Sequence, residues 1–263
     1  MLERIQRHGA IYRPLRAALI GLAGVGAVSR EIVDGPLRGY HLVLGPDDRN
    51  AYLVNRHERP IVDVLEQLSR PGMRVLDVGA HVGYFTLLLS TLVGPEGRVY
   101  ALEPNPLNLA KLRAMLAVNG LTNVAVFPVA ATDRTGEGEF VTERTGQMGH
   151  LALGSCPREA QSLVVVQTAR IDDLAREHKI GRIDLIKIDV EGAERQVLHG
   201  MAELLAASKP IVICEWHPLV AGSDYVSTFE TFGYTCELLE PANTSEPFHL
   251  LARRSTAGRR HDE

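Results

Sequence analysis

The sequence has few cysteines, and their spacing builds no recognisable framework. Among its 263 residues there are three, Cys156, Cys214 and Cys236. The number is odd and no Cys-x-x-Cys pair occurs, so the sequence predicts neither a disulfide scaffold nor a zinc site. This usage is typical of a reducing compartment, and we expect a cytoplasmic protein.

Positive charge is not in excess either. The chain has 28 lysines and arginines against 32 acidic residues, which gives a formal net charge of -4. Binding to a nucleic-acid backbone needs a concentrated positive field. Nucleic acid is therefore not expected as a partner.

Long hydrophobic runs are absent as well. The most apolar stretch, residues 17–28, is too short to span a bilayer, so we expect no stable membrane insertion. It follows several arginines, and a secretory targeting segment is one interpretation of this pattern. The interpretation that we favour is a packing or oligomer-forming helix within residues 1–30.

What the sequence does contain is a strand–turn–helix pattern at residues 74–86. The apolar run Val75–Val78 stops at Gly79, and a helical pattern begins after Gly83. Glycines let a backbone approach a ligand closely, and a helix N-terminus offers unpaired N–H groups. The third glycine of a pyrophosphate-binding G-x-G-x-x-G turn is missing, and Asp77 would repel a diphosphate. The turn therefore predicts a cationic or zwitterionic ligand.

Strands and helices alternate through most of the remaining chain, which predicts an α/β fold with a parallel sheet and helices on both faces. Residues 31–44 depart from this pattern and predict a hairpin outside the main sheet. Residues 136–170 predict an inserted β-ribbon that carries a glycine-rich loop. Residues 234–239 and 248–252 are expected to form a closing antiparallel pair.

These patterns divide the chain into three segments. Residues 1–58 form an N-terminal helix and hairpin extension, which we expect to act as a lid or as the surface of a homodimer. Residues 59–252 are expected to form the main domain. Residues 253–263 have no apolar period and are predicted to be a disordered tail.

Acidic side chains follow four of the predicted strands. They are Asp77, Glu103, Asp189 with Glu191, and Glu215 with His217. Because ligands bind at the carboxyl ends of parallel strands, we expect these residues to share one site. Glu103 comes about two dozen residues after the glycine turn, where an acid binds the ribose hydroxyls in Rossmann-like folds.

Four segments carry a resemblance to a known family. They are residues 75–86, 99–106, 183–194 and 213–217. In order and in register with the strands, they resemble class I S-adenosylmethionine-dependent methyltransferases, and specifically the FkbM family, over roughly residues 60–252. The family commonly has Asn where this chain has His81. The fold implied is Rossmann-like and doubly wound, with a mostly parallel seven-stranded sheet and an antiparallel last strand.

The resemblance also implies a binding site for S-adenosylmethionine. The backbone at Gly79 and Ala80 would hold the methionine moiety, Glu103 the ribose, and Asp133 the exocyclic amine of adenine. The implied cofactor-binding residues are Asp77, Gly79, Ala80, Gly83, Glu103, Pro104, Asn105, Ala131, Asp133 and Asp189.

Methyl transfer is an in-line displacement that needs a nucleophile partly stripped of its proton. The candidate catalytic residues are His217, Asp189, Glu215 and Glu191. His217 has an unperturbed pKa near neutrality and is the first candidate for the base, with His150 in the insert as the second. A structural hydrogen-bonding role for His217 is the alternative.

A metal-dependent arrangement is a further interpretation. In catechol-type O-methyltransferases, acids that end two strands bind magnesium, and Asp189 and Glu215 are at similar positions here. Oxygen ligands of this kind suit Mg²⁺. The alternative is that both acids contact substrate hydroxyls or cap helices. Lys187 is expected to pair with one of the acids rather than to catalyse.

The sequence is thus interpreted as an S-adenosylmethionine-dependent O-methyltransferase. Its small-molecule acceptor would be a hydroxyl of a sugar, glycolipid, polyketide or related secondary metabolite. A nicotinamide-dependent oxidoreductase is an alternative, disfavoured by the missing third glycine. A non-catalytic methyltransferase-like binding subunit is another, disfavoured by the acids retained at all four strand ends.

Overall fold

The computed structural model of the chain describes residues 26–143, 149–151, 161–218, 225–240 and 246–255. The strands are β1 Val28–Glu31, β2 His41–Leu44, β3 Arg74–Val78, β4 Arg98–Leu102, β5 Val124–Phe127, β6 Ala130–Ala131, β7 Gly136–Glu143, β8 Gly149–Leu151, β9 Gln161–Ala169, β10 Leu185–Ile188, β11 Ile211–Trp216, β12 Tyr234–Leu238 and β13 Phe248–Arg254. The helices are α1 Arg59–Leu68, α2 Tyr84–Val93, α3 Pro106–Asn119, α4 Ile171–Glu177, α5 Glu194–Gly200, α6 Ala202–Ser208 and α7 Tyr225–Thr231, with a short 3-10 helix at Asn50–Val54.

A seven-stranded sheet forms the centre of the molecule, in the order β12-β13-β11-β10-β3-β4-β5. β13 runs antiparallel to both of its neighbours, and the other adjacent pairs are parallel. The predicted fold class, a mostly parallel Rossmann-like sheet with an antiparallel last strand, is therefore confirmed.

Successive side chains of β3 enter opposite layers of the core, as the period of a strand requires. Val75 packs in one hydrophobic cluster with Leu88 of α2, whereas Leu76 packs in a second cluster with Val197 of α5. Because both faces are covered, the middle strands are mostly apolar, and their buried charged exceptions, Asp77 and Lys187, lie next to the strand ends. Polar side chains that serve a ligand are therefore left to the strand ends.

The extension folds onto this body through residues 26–58. β1 and β2 pair antiparallel, which confirms the predicted hairpin. Its first strand starts at Val28, so residues 28–30 form a strand and not the C-terminal end of the helix predicted for residues 1–30. Residues 1–25 lie outside the described part. Leu42 belongs to the same hydrophobic cluster as Leu88. The extension thus shares its core with the central sheet, and its action as a lid or dimer surface stays a prediction.

The inserted ribbon is also confirmed. β6, β9, β7 and β8 form a separate four-stranded sheet in that order. The apolar run at residues 124–130 predicts one strand, but the structure divides it between the two sheets, because Pro128 cannot donate to a ladder. Most of the predicted glycine-rich loop falls in residues 144–148 and 152–160, outside the described part.

Two further expectations are corrected near the C-terminus. The sequence pattern of residues 193–206 predicts one helix, but the structure breaks it at Met201, between α5 and α6. Arg253 and Arg254, predicted to begin a disordered tail, lie in β13, because their backbones pair with Thr235 and Tyr234 of β12. Residues 256–263 lie outside the described part. Across the described ranges, no helix has the length and apolar character needed to cross a membrane.

Candidate active site

A cavity of about 320 Å³ opens at the carboxyl ends of β3, β4, β10 and β11. The predicted site residues that line it are Gly79, Ala80, Glu103, Pro104, Ala131, Asp189, Glu191, Glu215 and His217. The sheet topology explains this convergence, because the carboxyl ends of parallel strands meet at one edge.

The glycine turn is fixed by its neighbours on both sides. The N–H groups of Gly79 and Ala80 both donate to the carbonyl oxygen of Leu102, at 3.0 and 2.9 Å. Gly79 has a φ of +87°, and a Cβ atom there would lie 1.7 Å from the carbonyl oxygen of Asp189. Glycine is thus required by the backbone conformation and by the close approach of β3 to β10.

Several predicted binding residues are placed away from the cavity lining. Asp77 is fully buried, and its Oδ2 accepts a 2.5 Å hydrogen bond from Thr86 of α2. Burial raises the pKa of Asp77. Asp77 therefore ties the end of β3 to α2 behind the glycine turn, and its place in cofactor binding stays a prediction.

The other three are Gly83, Asn105 and Asp133. A Cβ atom at Gly83 would overlap Met115 and Leu112, so this glycine serves the packing of α2 on α3. Asn105 caps α3 by accepting from the N–H of Leu107 at 2.9 Å. The carboxylate of Asp133 is 41% exposed and lies 3.5 Å from the guanidinium of Arg134.

Glu103 ends β4 and is 4% exposed. Its Oε2 accepts from the N–H of His81 at 2.7 Å, and its Oε1 accepts from the N–H of Asn105 at 2.8 Å. Burial raises the pKa of Glu103 to about 7, against the lowering effect of these two bonds. His81 has a φ of +52°, a conformation that asparagine also tolerates, so the family's Asn suits this backbone position.

Asn108 of α3 is a cavity residue that sequence reasoning missed. It lines the cavity beside Glu103, hydrogen-bonds to it, and is 4% exposed. Its Oδ1 atom has no hydrogen-bond partner. The signal that could have found it is its position on the first turn of the helix that follows Glu103.

His217 is held between carboxylates. Its Nδ1 lies 2.9 Å from Oε1 of Glu194, and its Nε2 lies 3.2 Å from Oε2 of Glu191 and 3.8 Å from Oε1 of Glu215. Burial lowers the pKa of His217, but the hydrogen bonds to Glu191 and Glu194 outweigh it and raise the pKa to about 11. Both ring nitrogens are engaged, so this geometry favours the structural alternative for His217 over the base.

Lys187 and Asp189 form the wall between the glycine turn and His217. The ammonium of Lys187 lies 3.1 Å from Oδ2 of Asp189 and 4.7 Å from the ring centroid of Phe85. Lys187 is 3% exposed, and its neighbouring carboxylates, Asp189 first, raise its pKa against the effect of burial. The lysine pairs with a site acid, as expected.

A second histidine beside Glu215 was not predicted. Nε2 of His249 lies 3.7 Å from Oε2 of Glu215 and 3.3 Å from Oε2 of Glu58, and Nδ1 lies 2.7 Å from Oε1 of Glu240. Burial raises the pKa of Glu215 to about 7. The missed signal is the strand register, since His249 is paired directly opposite Glu215.

The extension supplies part of the cavity wall. Its lining residues are Asp48, Arg49, Tyr52, His57 and Glu58. Tyr52 packs against Tyr84 of α2 with ring centroids 5.3 Å apart, and His57 packs against both. The extension thus adds aromatic side chains to the cavity that the acidic residues also line. His150, the second candidate base, lies on β8 and is not among the lining residues.

The amino-acid sequence was compared with known families and proteins. Residues 77–238 match the family model described as the Methyltransferase FkbM domain. The chain belongs to this family. It is therefore a methyltransferase, and the resemblance noted in the sequence is confirmed.

Individual relatives cover most or much of the chain. The 31-O-demethyl-FK506 methyltransferase FkbM of Streptomyces tacrolimicus is 29% identical over 218 residues, 72% of this chain and 83% of that protein. The 2-O-methyltransferase NoeI of Sinorhizobium fredii is 29% identical and covers 57% of this chain and 65% of that protein. The hexuronic acid methyltransferase AglP of Haloferax volcanii is 25% identical and covers 76% of this chain and 78% of that protein. Among solved structures, a methyltransferase FkbM from Methylobacillus flagellatus aligns with a TM-score of 0.49 at 15% identity, covering 78% of this chain and 55% of that one.

Proposed function

We propose that the protein is an S-adenosylmethionine-dependent O-methyltransferase that methylates a hydroxyl of a sugar, glycolipid, polyketide or related secondary metabolite. The observation that carries the proposal is a single cavity with two unlike halves. Gly79 and Glu103 lie in one half, and Asp189, Glu191 and Glu215 line the other. The names of the relatives, a 31-O-demethyl-FK506 methyltransferase, a 2-O-methyltransferase and a hexuronic acid methyltransferase, support an oxygen nucleophile.

The first half fits the nucleoside part of the cofactor. Two backbone N–H groups fix the carboxylate of Glu103, and the Oδ1 atom of Asn108 beside it is buried without a partner. A ribose offers two adjacent hydroxyl donors, which match these acceptors. When bound, S-adenosylmethionine supplies a methyl group on a positively charged sulfur. The carboxylates of the cavity favour that charge, whereas they would repel a diphosphate.

Asp189 lies where the two halves meet, because its backbone abuts Gly79 and its side chain lines the cavity. Lys187 holds one carboxylate oxygen at 3.1 Å and fixes its orientation. We assign to Asp189 the acceptance of the hydroxyl proton; the acceptor oxygen would bond to the methyl carbon as the carbon–sulfur bond breaks, with neutral S-adenosylhomocysteine as the leaving group. Glu191 and Glu215 would hold neighbouring hydroxyls of the acceptor.

A magnesium-assisted version of this reaction is the second candidate. The ligand atoms of Asp189, Glu215 and His217 lie within 4.8 Å of one another. Magnesium prefers oxygen ligands, which Asp189 and Glu215 supply. In this version His217 would first have to leave its contacts with the neighbouring carboxylates.

Calorimetric titration with S-adenosylhomocysteine tests the donor half. The wild type should bind the nucleoside, and Glu103→Ala should weaken binding by about tenfold or more through the loss of charged hydrogen bonds. Glu96→Ala, in an exposed turn, is the matched control. If Glu103→Ala bound S-adenosylhomocysteine as tightly as the wild type, Glu103 would not bind the ribose. Binding of NAD in place of S-adenosylhomocysteine would contradict the proposal.

Methyl transfer to a panel of glycosides, uronates and macrolides tests the acceptor half. The product should carry the new methyl group on oxygen, which mass spectrometry of fragments detects. Running the panel with added Mg²⁺ and with EDTA separates the two versions, since EDTA abolishes only the metal-dependent one. Cofactor binding without transfer to any acceptor would favour a non-catalytic binding subunit.

A further inference from the structure

A second group of ligand atoms lies beside the acidic wall of the cavity. Glu58 from the extension, Glu215 at the end of β11 and His249 on β13 each offer one atom, and these atoms lie within 4.8 Å of one another. Glu58 precedes α1, whereas His249 comes from the last described strand. Segments from opposite ends of the described chain thus converge on one point.

The ring of His249 is oriented by Glu240, which contacts the nitrogen that faces away from Glu58 and Glu215. Nδ1 of His249 lies 2.7 Å from Oε1 of Glu240, which directs Nε2 towards Oε2 of Glu58 at 3.3 Å and Oε2 of Glu215 at 3.7 Å. His249 is 9% exposed. Nε2 of His249 and Oε2 of Glu58 make no well-directed hydrogen bond, although both are buried. A buried ring nitrogen and two carboxylates therefore face the same point, where the ring pairs with Glu58 when it is protonated.

This arrangement is the one that metal-binding histidines show. A ligating histidine usually gives its other ring nitrogen to a carboxylate, which fixes the orientation of the ring. One imidazole with two carboxylates suits Mn²⁺, Fe²⁺, Co²⁺ or Zn²⁺, whereas Mg²⁺ prefers oxygen ligands alone. Both the ligand types and the outer partner point to the same class of ion.

We propose that Glu58, Glu215 and His249 bind one divalent transition-metal ion, with Glu240 as the outer partner of His249. The site differs from the magnesium arrangement at Asp189 and Glu215 in two of its ligands and in the class of ion. It does not depend on methyltransferase activity. Because Glu58 and Glu215 line the cavity, the ion would lie beside the acceptor and could polarise one of its oxygens. It would also fasten the extension to the last strands.

Metal titration of the full chain, without cofactor or acceptor, tests the proposal. After dialysis against EDTA and removal of the chelator, the protein is titrated with Mn²⁺, Co²⁺, Zn²⁺ and Mg²⁺ in a calorimeter. We expect one equivalent of transition-metal ion to bind, with Mg²⁺ weaker by about tenfold or more. His249→Gln and Glu58→Gln should each weaken binding by at least about tenfold, and Glu240→Gln by roughly 10–100-fold.

Matched controls separate the site from general effects. His178→Gln removes a half-exposed histidine, and Glu66→Gln removes an exposed acid from the same helix that follows Glu58, so both should bind as the wild type does. Circular dichroism verifies that each variant is folded. If His249→Gln does not fold, the metal affinity of Glu58→Gln tests the proposal in its place.

Two results would overturn the proposal. One is that none of the transition-metal ions binds. The other is that Asp189→Asn and His217→Gln lose the ion while His249→Gln and Glu58→Gln keep it, since the ion then lies in the neighbouring group. Titration of each variant with S-adenosylhomocysteine reports separately on the donor half, so failure of one proposal is distinguishable from failure of the other.

Discussion

The carbonyl oxygen of Asp189 occupies the space that a side chain at Gly79 would need. An added Cβ atom would lie 1.7 Å from that oxygen. The residue expected to hold the methyl donor and the residue proposed to face the acceptor are therefore in direct backbone contact. The spacing between the two halves of the cavity is set by this packing and not by flexible side chains.

Gly79→Ala should consequently destabilise the protein and disturb the site. The substitution forces β3 and β10 apart at their ends, and overpacking of this kind costs typically about 1–3 kcal/mol. The free energy of unfolding, measured in urea, should fall by that amount or more, and affinity for S-adenosylhomocysteine should fall with it.

Gly72→Ala is the control that separates steric overlap from backbone strain. Gly72 has a φ of +85°, close to that of Gly79, but nothing lies within 4 Å of an added Cβ atom. Its substitution should cost only the strain of the left-handed conformation, about 1–2 kcal/mol. Equal losses in both variants would contradict the packing argument.

A buried ion pair fastens the extension to the catalytic body, and its removal should be costly. Nζ of Lys111 on α3 lies 2.8 Å from Oδ2 of Asp48, with the side chains 8% and 1% exposed. Lys111→Met would leave the carboxylate buried without a countercharge, which costs about 3–5 kcal/mol. The measurement is the free energy of unfolding by urea.

Two further variants make this prediction specific. In the double variant Asp48→Asn with Lys111→Met, part of the stability should return, because the amide is neutral and can still accept from the N–H of Gly45. Arg59→Met breaks an exposed pair with Asp63 and should cost only about 0–1 kcal/mol. If Lys111→Met were no worse than Arg59→Met, the extension would not be held by this pair.

The central sheet could be predicted from the sequence because its signals are local. Apolar runs that end in glycine or in an acid locate the strand ends, and parallel topology brings those ends together. Glu103, Asp189, Glu215 and His217 were found in this way. Asp133 was implied by the family resemblance alone; it follows the short strand β6 and lies beside Arg134, and its contact with adenine stays a prediction.

The missed residues depend on pairings that sequence spacing does not fix. His249 faces Glu215 because β13 pairs with β11 in one particular register, and a shift of one residue would turn the ring to the other face of the sheet. Glu58 reaches the same point because the extension packs on α2 and α3. Long-range packing of this kind leaves no periodic signal in the extension.

Burial of Glu103 makes stability depend on pH in a predictable direction. Its pKa is raised from 4.5 to about 7 in the folded protein, so the folded state binds this proton more tightly than the unfolded state. The contribution of the group to stability is therefore present at low pH and is lost as the pH rises through about 7. Over this window the loss is at most roughly 3 kcal/mol.

Glu103→Gln cannot ionise and should lack this dependence. The difference in unfolding free energy between the wild type and Glu103→Gln should move in favour of the variant as the pH rises from about 4.5 to 7. Because both proteins are measured at each pH, the contributions of all groups that the substitution leaves unchanged cancel in the difference between their unfolding free energies. Parallel stability curves for the two proteins would show that Glu103 is not buried as a high-pKa acid.

The proton acceptor can be identified by comparing Asp189→Asn with His217→Gln. Removal of a general base lowers turnover by about 10²–10⁴-fold. If Asp189 takes the hydroxyl proton, Asp189→Asn should lower kcat by this amount on the acceptor that the panel identifies, while S-adenosylhomocysteine affinity changes by less. His217→Gln removes a cation that is held by Glu191 and Glu194, so its main effect should be on KM and on stability. The opposite split, with kcat lost in His217→Gln and retained in Asp189→Asn, would return the base role to the histidine and require that it leave its carboxylate partners during turnover.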